Sequence, residues 1–240
     1  MRVEILNCPI DAMDMNATVS SIDNHIRKNE RVHHVVVNAA KLVNMRRDEQ
    51  LRESVINCDI INADGQSVVW AAKFLGKPLK ERVAGIDLMN ALVELARERN
   101  YKIFLLGADE KIVQAVVEKY GAEIVAGYRN GYFGDDEAAQ IAAQITRSRA
   151  QMLFVAMSSP KKEIFLNRFK DALDVPFIMG VGGAFDVVAG KVKRAPVWMQ
   201  NAGLEWLYRV VQEPRRMWKR YLVTNLVFIY LVLKEKFSRK

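Results

Sequence analysis

Asp64 lies within the stretch CDIINADGQS (58–67), in which an apolar run, Ile60–Ile61, gives way to Asn-Ala-Asp-Gly and then to a helix-like segment. Asp-Gly is a common turn dipeptide, so one reading is a bend. The other is a carboxylate held at the end of a strand, where it can act as a general base. A second stretch, MGVGGAFDVVAGKVKRAP (179–196), offers Gly180, Gly182 and Gly183, which allow close backbone approach and turn free N–H groups toward a phosphate. It is not the dinucleotide fingerprint, which needs GxGxxG after the first strand, and no GxxxxGK[ST] loop is present. The alternative is a tight structural turn, with Asp186 as a cap rather than a ribose ligand. A third stretch, SSPKKE (158–163), places Pro160 near a first helical position, where an anion would be attracted. Lys161 and Lys162 there read either as phosphate contacts or as solvated helix lysines. His25, His33 and His34 have no spacing for a triad or a metal site, and no DxD metal clamp appears. Asp135–Asp136 reads as a helix cap.

Those residues need elements to hold them. Short β-branched or aliphatic runs recur at 32–38, 102–107, 122–127, 151–157 and 175–183. Between them, apolar residues fall three and four apart: Leu88, Leu92, Leu95 and Ala96 within 87–100, then similar patterns over 109–121 and 135–150. Buried strands alternating with helices of this length predict an α/β fold, a largely parallel, Rossmann-like sheet with helices on both faces. In such sheets ligands bind beyond the carboxyl ends of the strands. The loops at Asn38, Asp64, Asp109, Ser158 and Gly180 are therefore expected to line one crevice.

The chain has 240 residues and a formal charge of +8. Twelve basic and three acidic residues fall between 191 and 240, so the rest is nearly neutral. A basic block of this kind faces a polyanion, whether nucleic acid, phosphate-bearing ligand or anionic membrane. It also carries three of the four tryptophans and the thirteen-residue apolar run YLVTNLVFIYLVL (221–233). As a helix that run reaches roughly 20 Å, short of the ~30 Å hydrocarbon layer, so it is expected to lie in a membrane interface or pack on the domain. Two domains follow, a core at 1–195 and a basic, apolar C-terminal helical appendage at 196–240. A chain cut after about Pro196 is expected to keep a folded, soluble core. Cys8 and Cys58 show no CxxC spacing, which fits a reducing compartment. The opening MRVEILNCPID lacks the apolar core of a signal peptide, so a cytoplasmic location is expected.

The segments VNAAKLV, NADG, ERVAGIDLM, LLGA, GYF, SSPKKE, GVGGAFDVVAGKVKRAP and GLEWLYRVVQEPRR occur here in an order and spacing that resemble the WecG/TagA/CpsF family of bacterial glycosyltransferases, over about Val3 to Tyr221. The resemblance implies transfer of a sugar from a UDP-sugar to a polyprenyl-diphosphate-linked saccharide at the inner face of the bacterial membrane, in surface-polysaccharide synthesis. It implies inversion at the anomeric carbon, no metal or other cofactor, and peripheral membrane attachment. It makes Asp64 the proposed base and assigns Gly182, Gly183 and Asp186 to the nucleotide. Arg209, Arg216 and Lys219 are assigned to the diphosphate, with the tail closing the site. Asn38, Lys161, Lys162 and Arg194 lie in matching motifs and complete the expected substrate-binding set.

Three positions depart from some members: Val36 stands where Thr occurs, Ala40 where an acid occurs, and Lys162 where Gln occurs. The donor sugar, of N-acetylmannosamine, uronate or glucose type, is not carried over for that reason. The partners expected are thus the UDP-sugar, the lipid-linked acceptor and an anionic membrane, with self-association through the apolar tail and no nucleic acid. Two rival readings are a nucleotide-binding oxidoreductase with a variant site and a non-enzymatic membrane adaptor.

Overall fold

Five apolar runs of four to six residues bury every side chain, and with a sixth they form one parallel sheet. These strands are β3 (Val32–Val37), β4 (Ile60–Ala63), β5 (Ile103–Gly107), β7 (Met152–Ala156) and β8 (Phe177–Gly180), with β6 (Val125–Arg129) on one edge. Their order is β4-β3-β8-β7-β5-β6. The computed structural model describes residues 1–77 and 79–238, without the side chains of Asn201, Arg216, Met217, Lys219 and Arg220. The α/β class and the parallel sheet follow the sequence reading. One strand shifts: of the run at 122–127, residues 122–124 are a turn and the strand, β6, begins at Val125 and runs on to Arg129. Gly121, with φ near +88°, ends the preceding helix and swings the chain before pairing begins.

β-branched and aliphatic residues alternate between the two faces of the sheet. One face carries Val36, Ile60, Leu105, Phe154, Phe177 and Met179 against α1 (Met15–Arg27), α5 (Gly85–Arg99), α6 (Glu110–Tyr120) and α9 (Ala184–Val188). The other is covered in two halves. Phe104, Leu106, Leu153 and Val155 meet α7 (Asp135–Arg147) and α8 (Lys161–Phe169). Val35, Val37, Ile61 and Ala63 meet α2 (Ala39–Asn44), α3 (Glu49–Ile56) and α4 (Gln66–Phe74). The neighbours β3 and β8 thus send their following helices to opposite faces, which parts the loops above them into a crevice. The acids of Asp135–Asp136 fill the first turn of α7 instead of capping it; Gly134 is the cap, and its N–H reaches Glu137 Oε2 at 3.3 Å.

An N-terminal hairpin, β1 (Arg2–Ile5) and β2 (Cys8–Asp11), covers the β4 edge, and Asp11 Oδ2 accepts the Ile61 N–H at 2.9 Å. After α9 the chain makes two short helices, α10 (Val197–Asn201) and α11 (Glu205–Gln212), and then the long α12 (Pro214–Ser238). Pro214 is tolerated at the first helical position because its missing N–H has no intrahelical acceptor there. The apolar run at 221–233 is the middle of this single helix. Phe228 and Val232 are buried among Val35, Val37, Leu42 and Ala72, while Glu235 accepts the Leu6 N–H at 2.8 Å and pairs with Lys77 at 2.6 Å. The opposite side of α12 leaves Leu222, Leu226, Ile229, Tyr230, Leu233 and Phe237 exposed. Among the described residues no helix is long and apolar enough to cross a membrane.

Phe228→Ala is expected to lower unfolding stability by roughly 3 kcal/mol in urea titrations, because the ring leaves a cavity between α12 and α2. Deletion of 214–240 uncovers the same layer, so that fragment is expected to unfold at lower urea and to self-associate in sedimentation experiments. This revises the expectation of a soluble core.

Candidate active site

Asp64 follows the last residue of β4, and its N–H donates to Val37 O at 2.8 Å, which extends the β3–β4 ladder by one bond. Gly65 then turns the chain with φ near +102° into α4. The carboxyl is half-buried, and burial pushes its pKa up from an ordinary 3.8 to about 6. The Glu205 carboxylate pushes the same way, and Lys41, Arg209 and Arg82 oppose it. A carboxyl so poised is charged at neutral pH yet is a stronger base than a solvated one. Beside it, at the end of β3, the Asn38 side chain caps α2 by accepting the Lys41 N–H at 2.9 Å.

Under the crevice lies an ion triad. Glu163 Oε1 is 2.8 Å from Lys41 Nζ and 2.6 Å from Lys162 Nζ, and all three side chains are under a tenth exposed. Burial would raise the Glu163 pKa, but the two lysines outweigh it and hold it near 2, against an ordinary 4.5. Lys41 also donates to Val36 O at 2.8 Å. The stem of Lys162 crosses Gly180 so closely that a Cβ there would lie 3.0 Å from Lys162 Cδ. Lys162 is therefore turned into the interior, away from the surface position that a phosphate contact needs. Lys161 stays exposed, donates to Phe133 O at 3.1 Å and lies over the Phe133 ring.

A second cluster ties the tail over the crevice. Glu205, the first residue of α11, contacts Arg82 Nη1 at 3.2 Å and Arg194 Nε at 3.4 Å. Arg194 also forks onto Asp87, with Nη2 at 2.7 Å from Oδ2 and Nη1 on Oδ1. Arg82 reaches Gln200 Oε1 at 3.4 Å. The α10–α11 turn rests on the start of α4 at Gly203, where a Cβ would lie 2.9 Å from the Trp70 ring. Arg209, one turn beyond Glu205, is half-buried and makes no ion pair within 4 Å among the described residues.

Gly182, with φ near +56°, faces open space beyond β8, and exposed Gly183 begins α9. Asp186 is 3.3 Å from Lys191, which also approaches Asp109 at 3.5 Å, so the glycine loop is tied to the end of β5. The side chains of Arg216 and Lys219 lie outside the described residues. The structure thus gathers Asn38, Asp64 and Arg209 at one end of the crevice. It sets the glycine loop beside them, buries Lys162 and engages Arg194 with two acids.

Four charged residues here were not singled out from the sequence: Lys41, Arg82, Glu163 and Glu205. Lys41 had a signal, since a lysine among Ala39, Ala40, Leu42 and Val43 must find a buried partner. Glu205 and Arg82 had none, because nothing local says that residues 123 apart meet. His33 and His34 are buried, with burial the main force lowering their pKa values to about 3 and 4, so both are neutral core residues; His34 Nε2 bonds Asn62 Oδ1 at 2.9 Å. Burial pushes both cysteine thiols up, which makes neither a ready nucleophile.

A poised carboxyl at the head of a parallel sheet, with guanidinium groups held near it, suits enzymes that take a proton from one group while charge leaves on another. The chain belongs to the glycosyl transferase WecG/TagA/CpsF family, whose model matches residues 3–240, and it is a glycosyltransferase. It is 35% identical over 198 residues to the N-acetylglucosaminyldiphosphoundecaprenol N-acetyl-beta-D-mannosaminyltransferase of Bacillus subtilis strain 168, covering 81% of this chain and 76% of that one. The protein of the same name from Bacillus spizizenii strain W23 is 34% identical over 193 residues, covering 78% and 74%. Family membership sets aside the oxidoreductase and adaptor readings.

Two outcomes follow from the charges. The folded-state pKa of Asp64 lies above its ordinary value, so its favourable contribution is full below about 3.8 and is lost as pH rises through about 6. Asp64→Asn is expected to stabilise the protein at pH 7.5 by about 1–2 kcal/mol, part of the carboxyl being open to water, with the gain vanishing near pH 4 in thermal melts. Glu163 has the opposite sign: its contribution is full above 4.5 and lost as pH falls through about 2. Glu163→Gln is expected to cost roughly 3–5 kcal/mol at pH 7 by leaving two lysines buried without their acid.

Proposed function

We propose that this glycosyltransferase moves a sugar from a UDP-sugar to a polyprenyl-diphosphate-linked saccharide, with inversion and without a metal ion. The observation that carries the reading is the Asp64 carboxyl, poised near 6 and faced by Arg209, Arg82 and Lys41. The names of the two Bacillus relatives supply the acceptor class. In an inverting transfer one base takes the proton of the acceptor hydroxyl as the sugar–phosphate bond breaks, and Asp64 serves as that base. Negative charge then grows on the leaving diphosphate. Arg209, with Arg216 and Lys219 from the first turns of α12, neutralises it when the tail closes. Gly182 and Gly183 present backbone to the nucleotide, and Asp186 holds its ribose. Asn38 orients the acceptor beside Asp64, Lys161 lies at the crevice rim, and Arg194 meets the diphosphate. Lys162 contributes from below, as charge beneath the floor.

Residues 196–240 act as a closing and docking appendage on the inner face of the cell membrane. Support comes from α12, whose outward side is apolar from Leu222 to Phe237 and is flanked by Trp206, Trp218, Arg215 and Lys234. Aromatic and basic residues around an apolar stripe suit an anionic lipid interface.

Asp64→Asn is expected to lower kcat at least 10³-fold while UDP binding by calorimetry survives. In the wild type, kcat/KM should fall as pH drops through about 6. Transfer should persist in EDTA; loss of activity restored by Mg²⁺ would refute the metal-free route. A panel of UDP-sugars with a short lipid-diphosphate acceptor, read by mass spectrometry, identifies the donor. Leu226→Glu with Ile229→Glu is expected to abolish sedimentation with phosphatidylglycerol vesicles without lowering Tm, since both side chains face water.

A further inference from the structure

Arg82, whose charge acts on Asp64, and Arg194 are part-buried cations, and carboxylates hold both. Asp87 accepts from Nη1 and Nη2 along one edge of the Arg194 guanidinium, and Glu205 bridges from Arg194 Nε to Arg82 Nη1. With all four side chains in place the cluster is formally neutral. Without Glu205 it carries one positive charge, next to Arg209 and Lys41. Asp87, itself partly exposed, sits on the first turn of α5, a helix whose Gly85, Leu88 and Met89 are buried in the core. Glu205 instead rides on α11, a helix with no buried residue of its own, held by the turn at Gly203, these two ion pairs, a bond from Gln212 Nε2 to Lys193 O and a ring contact between Trp206 and Tyr221.

Glu205 is also unfavourably placed. Its carboxylate faces Asp64, and like charges in a partly desolvated crevice repel. An acid that repels the poised carboxyl while neutralising two arginines is poor local design unless another anion takes its place during the reaction. We infer that Arg82 and Arg194 form a diphosphate subsite, and that Glu205 fills it as an internal counter-ion until the substrate arrives. The inference rests on the transferase reading for the origin of the ligand, but not for the chemistry of the subsite. A diphosphate offers more oxygens and more charge than one carboxylate, so it displaces Glu205 from both guanidinium groups while Asp87 keeps Arg194 in place. The exchange removes one acid from the neighbourhood of Asp64 and leaves α11 held by the ligand.

The test is calorimetric titration of the full-length protein at low salt with inorganic pyrophosphate. Removing an acid that only latches the tail would weaken binding; removing a competitor strengthens it. Glu205→Gln is expected to bind pyrophosphate roughly five- to tenfold more tightly than the wild type. Glu205→Asp, too short to span both arginines, is expected to gain in the same direction by less. Adding Arg82→Gln to Glu205→Gln should cancel the gain. Affinity that is unchanged or weaker in both Glu205 variants, with Tm maintained, overturns the inference and leaves Glu205 as a latch. UDP and farnesyl diphosphate, titrated in parallel, separate the sources: a gain for UDP assigns the subsite to the donor, a gain for farnesyl diphosphate to the acceptor. A gain for pyrophosphate with neither organic ligand bound would keep the subsite and refute the proposed substrates.

Discussion

Glu163 sits between Lys41 and Lys162 with almost no access to water, and the loops above the sheet are organised around it. Lys41 belongs to the helix after β3, and Glu163 and Lys162 to the helix after β7. Gly180, at the end of β8 between them, gives up its side chain so that Lys162 can pass. The strand ends of β3, β7 and β8 at the crevice floor are thereby fixed relative to one another. A buried ion group of this kind is a poor source of net stability, because desolvation offsets most of the attraction. It is a strong positional constraint, since any arrangement that separates the acid from its lysines leaves charges buried alone. The triad keeps a net positive formal charge beneath Asp64 and its neighbours, out of reach of water and with fixed geometry.

The tail answers that fixed floor with a more loosely held roof. α11 brings Glu205 and Arg209 to Asp64 on one helical turn, an acid and a base of opposite influence on the same carboxyl. The contacts holding it include partly exposed ion pairs, a bond from Gln212 to Lys193 O and one close approach at Gly203. Such contacts are individually weak and sensitive to competing ions. The sheet therefore supplies precision and the tail supplies response.

Much of this was legible in the residues. The β-branched runs and the three- and four-residue spacings fixed the sheet and the helices from α5 to α7, because those signals are local. Asp64 could be read as a strand-end acid for the same reason. The hairpin at the N-terminus and the helices from α1 to α3 were harder to read: two of the four buried residues of α1 are the polar Thr18 and Asp23, and α2 and α3 are only six and eight residues long. Lys162 was misplaced because two adjacent lysines at a helix start look solvated, and only Gly180, eighteen residues away, shows that one of them turns inward. The apolar run at 221–233 admitted either a membrane or a packing role because both faces of α12 are apolar; periodicity cannot tell a face covered by protein from one left for lipid.

α12 also reaches back to the first hairpin, since Glu235 bonds the backbone of Leu6 and pairs with Lys77. That has a consequence for biosynthesis. A chain grows from its N-terminus, so the layer over α2 and α4 stays uncovered until the 25 residues of α12 have emerged from the ribosome. Glu205 and Arg209 emerge only shortly before, so a nascent chain carries Asp64 at its strand end well before these two charges that act on it.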